Sequence, residues 1–315
     1  MNSHAIAAGH AERLATVDAL LPEMPALEPV EGAVSLSATE GDSAAAGLSV
    51  RTEAGPDSVD SPWRALVEHR LEARLTGPRP EAAFDALLTR WDEHLKTVAP
   101  PGDVETAATV VRPSRDSPGS AELLRRGFAP VLVIAVRPAD RLAVTGPPAT
   151  PGVHIRPAEA DDLETAVGLE LELQRYDAQF GSVTLREGAE ETIAADLSKH
   201  LGRENPTLWI AELYGRPLGM VRVQFPGETA WIGGRVAADR VGYLSSLAVA
   251  EPARSSGVGT ALAAHAHQVF DECGTEAVLL HHALANPRST PFWYAQGYRP
   301  LWTYWQRRPA VHGSR

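Results

Sequence analysis

The stretch VAEPARSSGVG at positions 249–259 decides the fold predicted for this chain. Its glycine pair, Gly257 and Gly259, stands directly before a segment with helical periodicity. Glycines leave the backbone unobstructed, so the N–H groups of residues 255–260 can converge on an anion at the start of a helix. Arg254 adds a side chain that makes strong charged hydrogen bonds to phosphate. The stretch predicts an anion-binding loop, although a glycine pair by itself more often marks only a tight turn.

The segments around this loop predict alternating strands and helices. Residues 243–249 form an apolar run, residues 260–273 repeat apolar side chains at helical spacing, and residues 277–282 are again aliphatic. Asn286 follows, and then a short segment that ends at Gly297. The loop is therefore expected to connect a strand to an amphipathic helix, with a second strand close behind.

This pattern resembles the GCN5-related N-acetyltransferases (GNATs). Residues 249–259 are similar to the family's pyrophosphate loop, V-x-P-x-x-R-x-x-G-x-G, and residues 286–298, NPRSTPFWYAQGY, are similar to its second acetyl-CoA segment. The resemblance covers roughly residues 151–308. It implies that the pyrophosphate of acetyl-CoA lies on the loop amides. It also implies that the pantetheine arm lies in a wedge between the strands at 243–249 and 277–282.

The resemblance implies a set of residues that bind the cosubstrate acetyl-CoA, and no metal. These residues are Leu247, Ala248, Val249, Arg254, Ser255, Ser256, Gly257, Val258, Gly259, Thr260, Asn286 and Trp293.

The predicted element order places the chain in the α/β class. In the second half, the order is a strand, two helices, three strands, a helix, a strand, a helix and further strands, which gives a mixed α+β sheet with helices on both faces. GNAT resemblance implies the same layout: a mostly antiparallel mixed sheet, flanking helices and a splayed central pair of strands. Near the amino terminus, residues 12–21 are a candidate helix.

An internal repeat indicates two copies of this fold. Residues 127–137, GFAPVLVIAVR, echo residues 297–307, GYRPLWTYWQR, and a polar residue stands eleven positions before each, Asp116 and Asn286. We therefore predict tandem GNAT-like domains at residues 1–144 and 153–315, joined by a proline- and glycine-rich linker at 145–152.

The first copy is expected not to bind CoA. In the repeat register, Ala83 and Asp85 fall on Gly257 and Gly259, and Pro80 falls on Arg254. A carboxylate repels a pyrophosphate, and proline removes both a positive side chain and a backbone donor.

Composition narrows the function classes. The net charge of −11 over 315 residues argues against nucleic acid as a partner, because binding to a phosphate backbone needs a basic surface. Cys273 is the single cysteine, which excludes a disulfide framework and fits a reducing compartment. The chain lacks an apolar run of the roughly 18 residues that span a bilayer. We expect a cytoplasmic bacterial protein without a membrane partner, monomeric or homodimeric.

The catalytic candidates follow from what amide formation needs. Backbone amides near Leu247 and Val249 are expected to bind the thioester carbonyl oxygen. The family commonly has a proton-donating tyrosine four positions before the final glycine, and Trp293 stands there instead. Tyr294 is adjacent, but one helical step turns its side chain about 100° away from that of Trp293. It can replace the missing tyrosine as proton donor only if the helix is rotated or irregular. Otherwise water protonates the leaving thiolate.

The sequence also offers candidates for the proton acceptor and for the residues that bind the amine substrate. Ser246 occupies the strand position where the family often has a carboxylate, and His282 ends the following strand, where it acts as a base or simply packs. Candidate residues for binding the acceptor, each with solvated surface or core packing as the alternative, are Glu170, Tyr176, Trp231 and Trp302.

These observations favour an acyl-CoA-dependent N-acyltransferase. Transfer of an acetyl or other short acyl group to a small-molecule amine by direct attack is expected, because Cys273 lies at the far end of the helix, about 20 Å from the loop. A sensor that binds acyl-CoA without turnover is the alternative, since it would keep the loop and lose the proton donor.

Overall fold

The computed structural model describes residues 2–138, 150–181 and 183–313. They form two compact units. The first comprises the described residues up to Pro56, Trp63–Val133 and those from Leu301 onward. The second comprises Asp57–Pro62 and the described residues from Ile134 to Pro300.

The elements before residue 139 alternate between strands and helices. They are α1 (Ser3–Ala15), β1 (Val34–Glu40), β2 (Ser43–Glu53), a 3-10 turn (Ser61–Trp63), β3 (Val67–Thr76), α2 (Pro80–Val98), β4 (Thr106–Pro113), α3 (Ser120–Arg125) and β5 (Ala129–Pro138). The side chain of Asn2 caps α1 by accepting a hydrogen bond from the Ala5 amide. The predicted helix at 12–21 is therefore wrong in position, because the capped helix starts at Ser3 and ends at Ala15.

The elements after residue 150 follow the predicted order, except that the short helix α6 stands between the second and third of the three consecutive strands. They are β6 (Val153–Pro157), α4 (Leu163–Asp177), α5 (Ala189–Leu197), β7 (Leu208–Leu213), β8 (Arg216–Gln224), α6 (Ala230–Gly233), β9 (Val241–Val249), α7 (Val258–Glu272), β10 (Ala277–Ala283), α8 (Ser289–Ala295) and β11 (Arg299–Arg307). Short 3-10 turns lie at Ala160–Asp162, Ala178–Phe180, Ser198–His200 and Glu251–Ala253.

Each unit is built on a mixed sheet with helices against it, which confirms the predicted fold class. In the first unit the strand order is β1-β2-β3-β4-β11, and in the second it is β5-β10-β9-β8-β7-β6. A cluster around Trp91, Phe84 and Leu87 of α2 forms the first core. A cluster around Val258, Leu262 and other α7 residues, with Trp293, forms one face of the second.

Relative to the predicted boundaries, the units exchange β11 and the second part of β5. β11 pairs antiparallel with β4, from Trp302 opposite Pro113 to Arg307 opposite Ala108, and so belongs to the first unit. The part of β5 from Ile134 onward belongs to the second unit. The boundaries predicted at 1–144 and 153–315 assume contiguous domains and do not include this exchange. Most of the predicted linker, residues 145–149, lies outside the described residues.

The two central strands of the second unit separate after a short parallel pairing. β10 pairs with β9 only at Ala277–Leu279 opposite Val241–Tyr243. Beyond Tyr243, β9 pairs only with β8 on its other side, with a register shift that leaves Ser245 as an extra residue. The strands therefore open into the wedge that the sequence predicts, and its floor is the edge of β9 from Leu244 to Val249.

A buried histidine in α7 makes the second unit sensitive to acid. The Nε2 atom of His267 lies 3.1 Å from the hydroxyl oxygen of Tyr298. Burial lowers the pKa of His267 from 6.5 to about 3, and the charge of Arg137 acts in the same direction. Because the unfolded chain binds this proton between pH 6.5 and 3 and the folded chain does not, stability falls as the pH falls through that range.

We predict that His267→Gln removes part of this sensitivity. Between pH 6.5 and pH 5, the free energy of unfolding of the wild type should decrease more steeply than that of the variant, by about 1.4 kcal/mol per pH unit. Urea unfolding at several pH values measures both slopes. His4→Gln, on the exposed side of α1, is the matched control and should leave the slope unchanged. Equal slopes for His267→Gln and the wild type would contradict the prediction.

Candidate functional site

The glycine-bearing loop leads directly from β9 into the amino terminus of α7. Ser255 has a φ of +65° and Gly257 a φ of +91°, so two left-handed residues turn the chain just before the helix. A Cβ atom at Gly257 would lie 2.8 Å from Cγ2 of Thr150, whereas one at Gly259 would make ordinary contacts of 3.6 Å. Gly257 is therefore required by both backbone conformation and space, and Gly259 keeps the first turn of α7 open.

Arg254 is held at the mouth of this loop by residues of α4. Its guanidinium forms an ion pair with Glu172, and its Nε donates to the carbonyl oxygen of Val249 at 3.3 Å. The Tyr176 ring lies 5.5 Å from the Arg254 Cζ and 4.7 Å from that of Arg288, which precedes α8. Two arginines thus lie against one aromatic ring beside the loop, and Arg288 is a residue that the sequence analysis missed.

Asn286 orients the start of α8 and contacts the end of α4. Its Oδ1 accepts hydrogen bonds from the amides of Arg288 and Ser289, and its Nδ2 donates to Asp177 at 2.8 Å. Burial raises the pKa of Asp177 to about 6, and the hydrogen bond from Asn286 opposes that shift. The last turn of α4 therefore contacts both segments that the sequence analysis assigned to the cosubstrate.

Helix α8 turns Trp293 into the core and Tyr294 towards β10. Trp293 is 7% exposed and packs edge-on against Phe292 and Tyr298. Tyr294 is 39% exposed and lies edge-to-face with His282, with 5.8 Å between ring centroids. The family's tyrosine position is thus a core position in this chain, and Tyr294 is the aromatic residue of α8 that remains accessible.

His282 and His281 lie on opposite faces of β10, as the strand alternation predicts. Burial lowers the pKa of His282, and its Nε2 has no hydrogen-bond partner within the described part of the chain. His281 instead receives a hydrogen-bond contact of 2.9 Å between its Nδ1 and the hydroxyl of Tyr243. Trp231 stacks parallel to His281 at 6.3 Å and meets the Tyr243 ring edge-on at 4.9 Å.

Three buried polar side chains lie on the α4 side of β9. Glu170 and Gln174 are one turn apart on α4, and Ser246 lies on the face of β9 that carries Ala248, which packs in the α4 core cluster. These three residues are 4%, 3% and 6% exposed. Their Glu170 Oε2, Gln174 Oε1 and Ser246 Oγ atoms make no hydrogen bond of good geometry among the described residues, although the Ser246 hydroxyl is close enough to Glu170 to influence its carboxyl.

Burial also determines the protonation of this cluster. It raises the pKa of Glu170, while the positive charge of Arg222 and, after it, hydrogen bonding from the Ser246 hydroxyl oppose the rise. Arg222 stands directly across from Ser246 on β8 and is itself paired with Asp196. Buried polar atoms almost always make well-formed hydrogen bonds, so three oxygens without one on the same face of the sheet mark a place for a hydrogen-bonding ligand or for water. Sequence reasoning identified Glu170 and Ser246 but not Gln174.

Sequence comparison identifies the second unit. Residues 171–298, which hold the loop, the opened strands and α8, match the family model described as Acetyltransferase (GNAT) family. Residues 171–298 form a GNAT domain. No curated protein matches the sequence at a significant level.

Solved structures extend the similarity to the first unit. A GCN5-related N-acetyltransferase from Sphaerobacter thermophilus has a TM-score of 0.54 at 14% identity and covers 86% of this chain and 82% of its own. A GCN5-related glucosamine N-acetyltransferase region of a fungal multi-domain GH3 beta-N-acetylglucosaminidase has a TM-score of 0.51 at 11% identity and covers 84% of this chain and 32% of its own. At these identities the likeness concerns the fold. Because it spans most of the chain, the first unit shares this fold with the second.

The first unit lacks the loop of the GNAT domain. Helix α2 begins at Pro80, so Ala83 and Asp85 lie inside the helix instead of in a cradle before it. Ala83 is fully buried, and Asp85 forms an ion pair with Arg126 at 2.9 Å. The expectation that this copy binds no CoA stays a prediction, and this geometry supports it.

The remaining predicted residues are dispersed. Trp302 belongs to the first unit, where it stands opposite Pro113 and is 3% exposed, so the structure does not group it with the GNAT domain residues. Trp231 of α6 is 59% exposed. Cys273 is exposed at the carboxyl end of α7. No group of three metal-ligating side chains occurs among the described residues, and none of the described helices is long and apolar enough to cross a bilayer.

Proposed function

We propose that this chain is an acyl-CoA-dependent N-acyltransferase that transfers an acetyl or other short acyl group to the amine of a small molecule. The observation that carries the proposal is the combination of a left-handed glycine loop at the start of α7 with the opening between β9 and β10 in a GNAT domain. Acetyl-CoA, when bound, supplies an acyl thioester, whose C–S bond breaks as the acceptor nitrogen forms the C–N bond. Products are an amide and a thiol.

The residues of the loop and wedge fit this cosubstrate. Amides of residues 255–260 provide the anion-binding groups, and Gly257 keeps the cradle clear. Arg254 would exchange its partner Glu172 for a phosphate, and Arg288 adds a second positive charge on the same ring. On the opened edge of β9, the backbone of Leu247, Ala248 and Val249 would hold the arm and bind the carbonyl oxygen. No metal is required.

Glu170 is the proposed proton acceptor. Its raised pKa brings the carboxyl closer to neutral pH, where a base and an ammonium exchange a proton most effectively. Three acceptor atoms, on Glu170, Gln174 and Ser246, match the three N–H donors of a primary ammonium. His282 was the alternative from sequence, but it lies on the face of β10 towards α8 and burial disfavours its protonation.

The acceptor's body would contact the ring cluster at Trp231, Tyr243 and His281. Trp231 is the most exposed of these rings and is anchored by a hydrogen bond from its Nε1 to Gln224 at 2.8 Å. A flat or sugar ring attached to the amine would stack there. Tyr176 was assigned to the acceptor from sequence, but its two arginine contacts fit the cosubstrate side better.

The proposal is tested by calorimetric titration with CoA and by turnover of acetyl-CoA across a panel of amines. We expect one CoA per chain, because α7 begins with an open cradle and its counterpart α2 does not, and we expect turnover with a primary amine. Arg254→Ala should weaken CoA binding about tenfold, while Cys273→Ala should leave turnover unchanged. A stoichiometry near two would contradict the single-site prediction. Tight binding without turnover across the panel would favour the acyl-CoA sensor, which the core position of Trp293 also fits.

Glu170→Gln should lower kcat about 10²- to 10⁴-fold while CoA affinity stays unchanged, because it removes a base and keeps the side-chain shape. In the wild type, kcat/KM should rise with pH as Glu170 loses its proton, and this limb should vanish in the variant. Glu164→Gln, at an exposed position of the same helix, is the control. An unchanged pH profile in Glu170→Gln would remove Glu170 from the mechanism.

Tyr294→Phe should change kcat by less than about 10²-fold, the lower bound for losing a general acid. Partial burial raises the pKa of Tyr294, which makes its hydroxyl a weaker proton donor, and its ring faces His282. Steady-state kinetics with a saturating amine measures the effect, and Phe292→Leu in the neighbouring core position controls for packing. A loss of 10² or more with CoA affinity retained would assign the thiolate's proton to Tyr294.

A further inference from the structure

The first unit has an opened strand pair of its own. β3 and β4 run parallel and pair over five positions, from Val67 opposite Thr106 to Leu71 opposite Val110. From Glu72 to Thr76, β3 continues beside β2 alone. In the repeat register Leu75 corresponds to Val249, so the edge at Leu75 is the counterpart of the edge that the cosubstrate would use in the second unit.

Side chains of α1 already occupy this edge. The Nδ1 of His10 accepts a hydrogen bond from the Leu75 amide at 3.1 Å, and the Nε of Arg13 lies 3.5 Å from the Leu75 carbonyl oxygen. The guanidinium of Arg13 also forms a two-pronged ion pair with Asp116, with Nη2 and Oδ2 3.0 Å apart. Asp116 follows β4 and is the counterpart of Asn286, so Arg13 connects the two sides of the opening.

The electrostatics hold these side chains in the required forms. Burial, assisted by the charge of Arg13, lowers the pKa of His10 to about 3, so its Nδ1 is free to accept at neutral pH. Burial alone would raise the pKa of Asp116, but hydrogen bonds and charges from Arg13 and Arg112 outweigh it and keep the carboxylate ionised. Both His10 and Asp116 are at most 4% exposed.

The approach of α1 to β3 depends on a glycine. A Cβ atom at Gly9 would lie 2.0 Å from Oγ1 of Thr76, the residue after Leu75. Any residue other than glycine at position 9 would therefore force α1 away from β3 or displace the Thr76 side chain.

We propose that His10 and Arg13 act as an internal ligand of the first unit. Their side chains bind the backbone amide and carbonyl of Leu75, which a pantetheine arm would otherwise bind. Two features then keep this unit free of cosubstrate: α2 has no phosphate cradle, and the wedge is filled from within. The opening between β3 and β4 is therefore a groove that corresponds to the proposed pantetheine groove of the second unit, and side chains of α1 close it. This assignment uses the second unit's proposed function only to name what the groove would otherwise bind.

Amide hydrogen exchange on the full-length chain tests the proposal. His10→Ala should speed the exchange of the Leu75 amide about ten- to hundredfold, as expected for the loss of one buried hydrogen bond. His10→Asn, whose Oδ1 can stand near the position of Nδ1, should retain most of the protection. Glu12→Ala, on the exposed face of α1, should have no effect. Equal Leu75 exchange in His10→Ala and the wild type would overturn the proposal.

Pantetheine, which lacks the phosphates, is the probe for the groove. At millimolar concentration it should slow Leu75 exchange in His10→Ala and leave the wild type unchanged; absence of slowing in His10→Ala would overturn the assignment of the groove. Should His10→Ala unfold the first unit, His10→Phe, which keeps a ring of similar size and removes the acceptor nitrogen, serves for the exchange measurement on the Leu75 amide. CoA stoichiometry, read separately by calorimetry, reports on the second unit and so distinguishes failure there from failure here.

Discussion

Backbone N–H and C=O groups on an opened strand edge need partners, and both units are organised around such an edge. In the second unit, β9 and β10 separate after three paired positions and expose the edge from Leu244 to Val249. In the first unit, β3 and β4 separate after five. The units differ in which groups hydrogen-bond to the exposed strand edge. Side chains of α1 bind Leu75 in the first unit, whereas the second unit leaves its wedge to a ligand, as we propose.

The start of the following helix makes the same distinction. Val258, where α7 begins, corresponds to Phe84 in the repeat register, yet α2 begins four residues earlier, at Pro80. The residues of α2 that correspond to the cradle belong to this extra turn of helix. Pro80 suits the first position of α2, because an N–H group at that position would have no partner within the helix. In α7 the left-handed Gly257 delays the helix, so the amides before and within the first turn stay available.

The sequence predicted what depends on local spacing and missed what depends on tertiary pairing. Glycine positions and helical periodicity are local, so the loop could be predicted from residues 249–259, and the resemblance of residues 249–259 and 286–298 to GNATs implied the wedge. Gln174 and Tyr243 could not be recognised, because their roles arise from packing of α4 and α6 against the sheet. Trp302 was assigned to the acceptor because the chain was read as contiguous domains. A possible signal for Gln174 was its position one turn after Glu170 on a face that is otherwise apolar.

The strand exchange follows from the same similarity that revealed the repeat. β5 and β11 carry related sequences, GFAPVLVIAVR and GYRPLWTYWQR, so the sequence pattern of each strand is compatible with either sheet. Sequence alone cannot choose between two equivalent strands; the choice rests on contacts made elsewhere, such as the ion pair of Arg307 with Asp92. Because β11 is the last strand of the chain and completes the first unit's sheet, that unit cannot be complete until the GNAT domain has been synthesised. Folding of the first unit therefore depends on a strand that follows the GNAT domain in the chain.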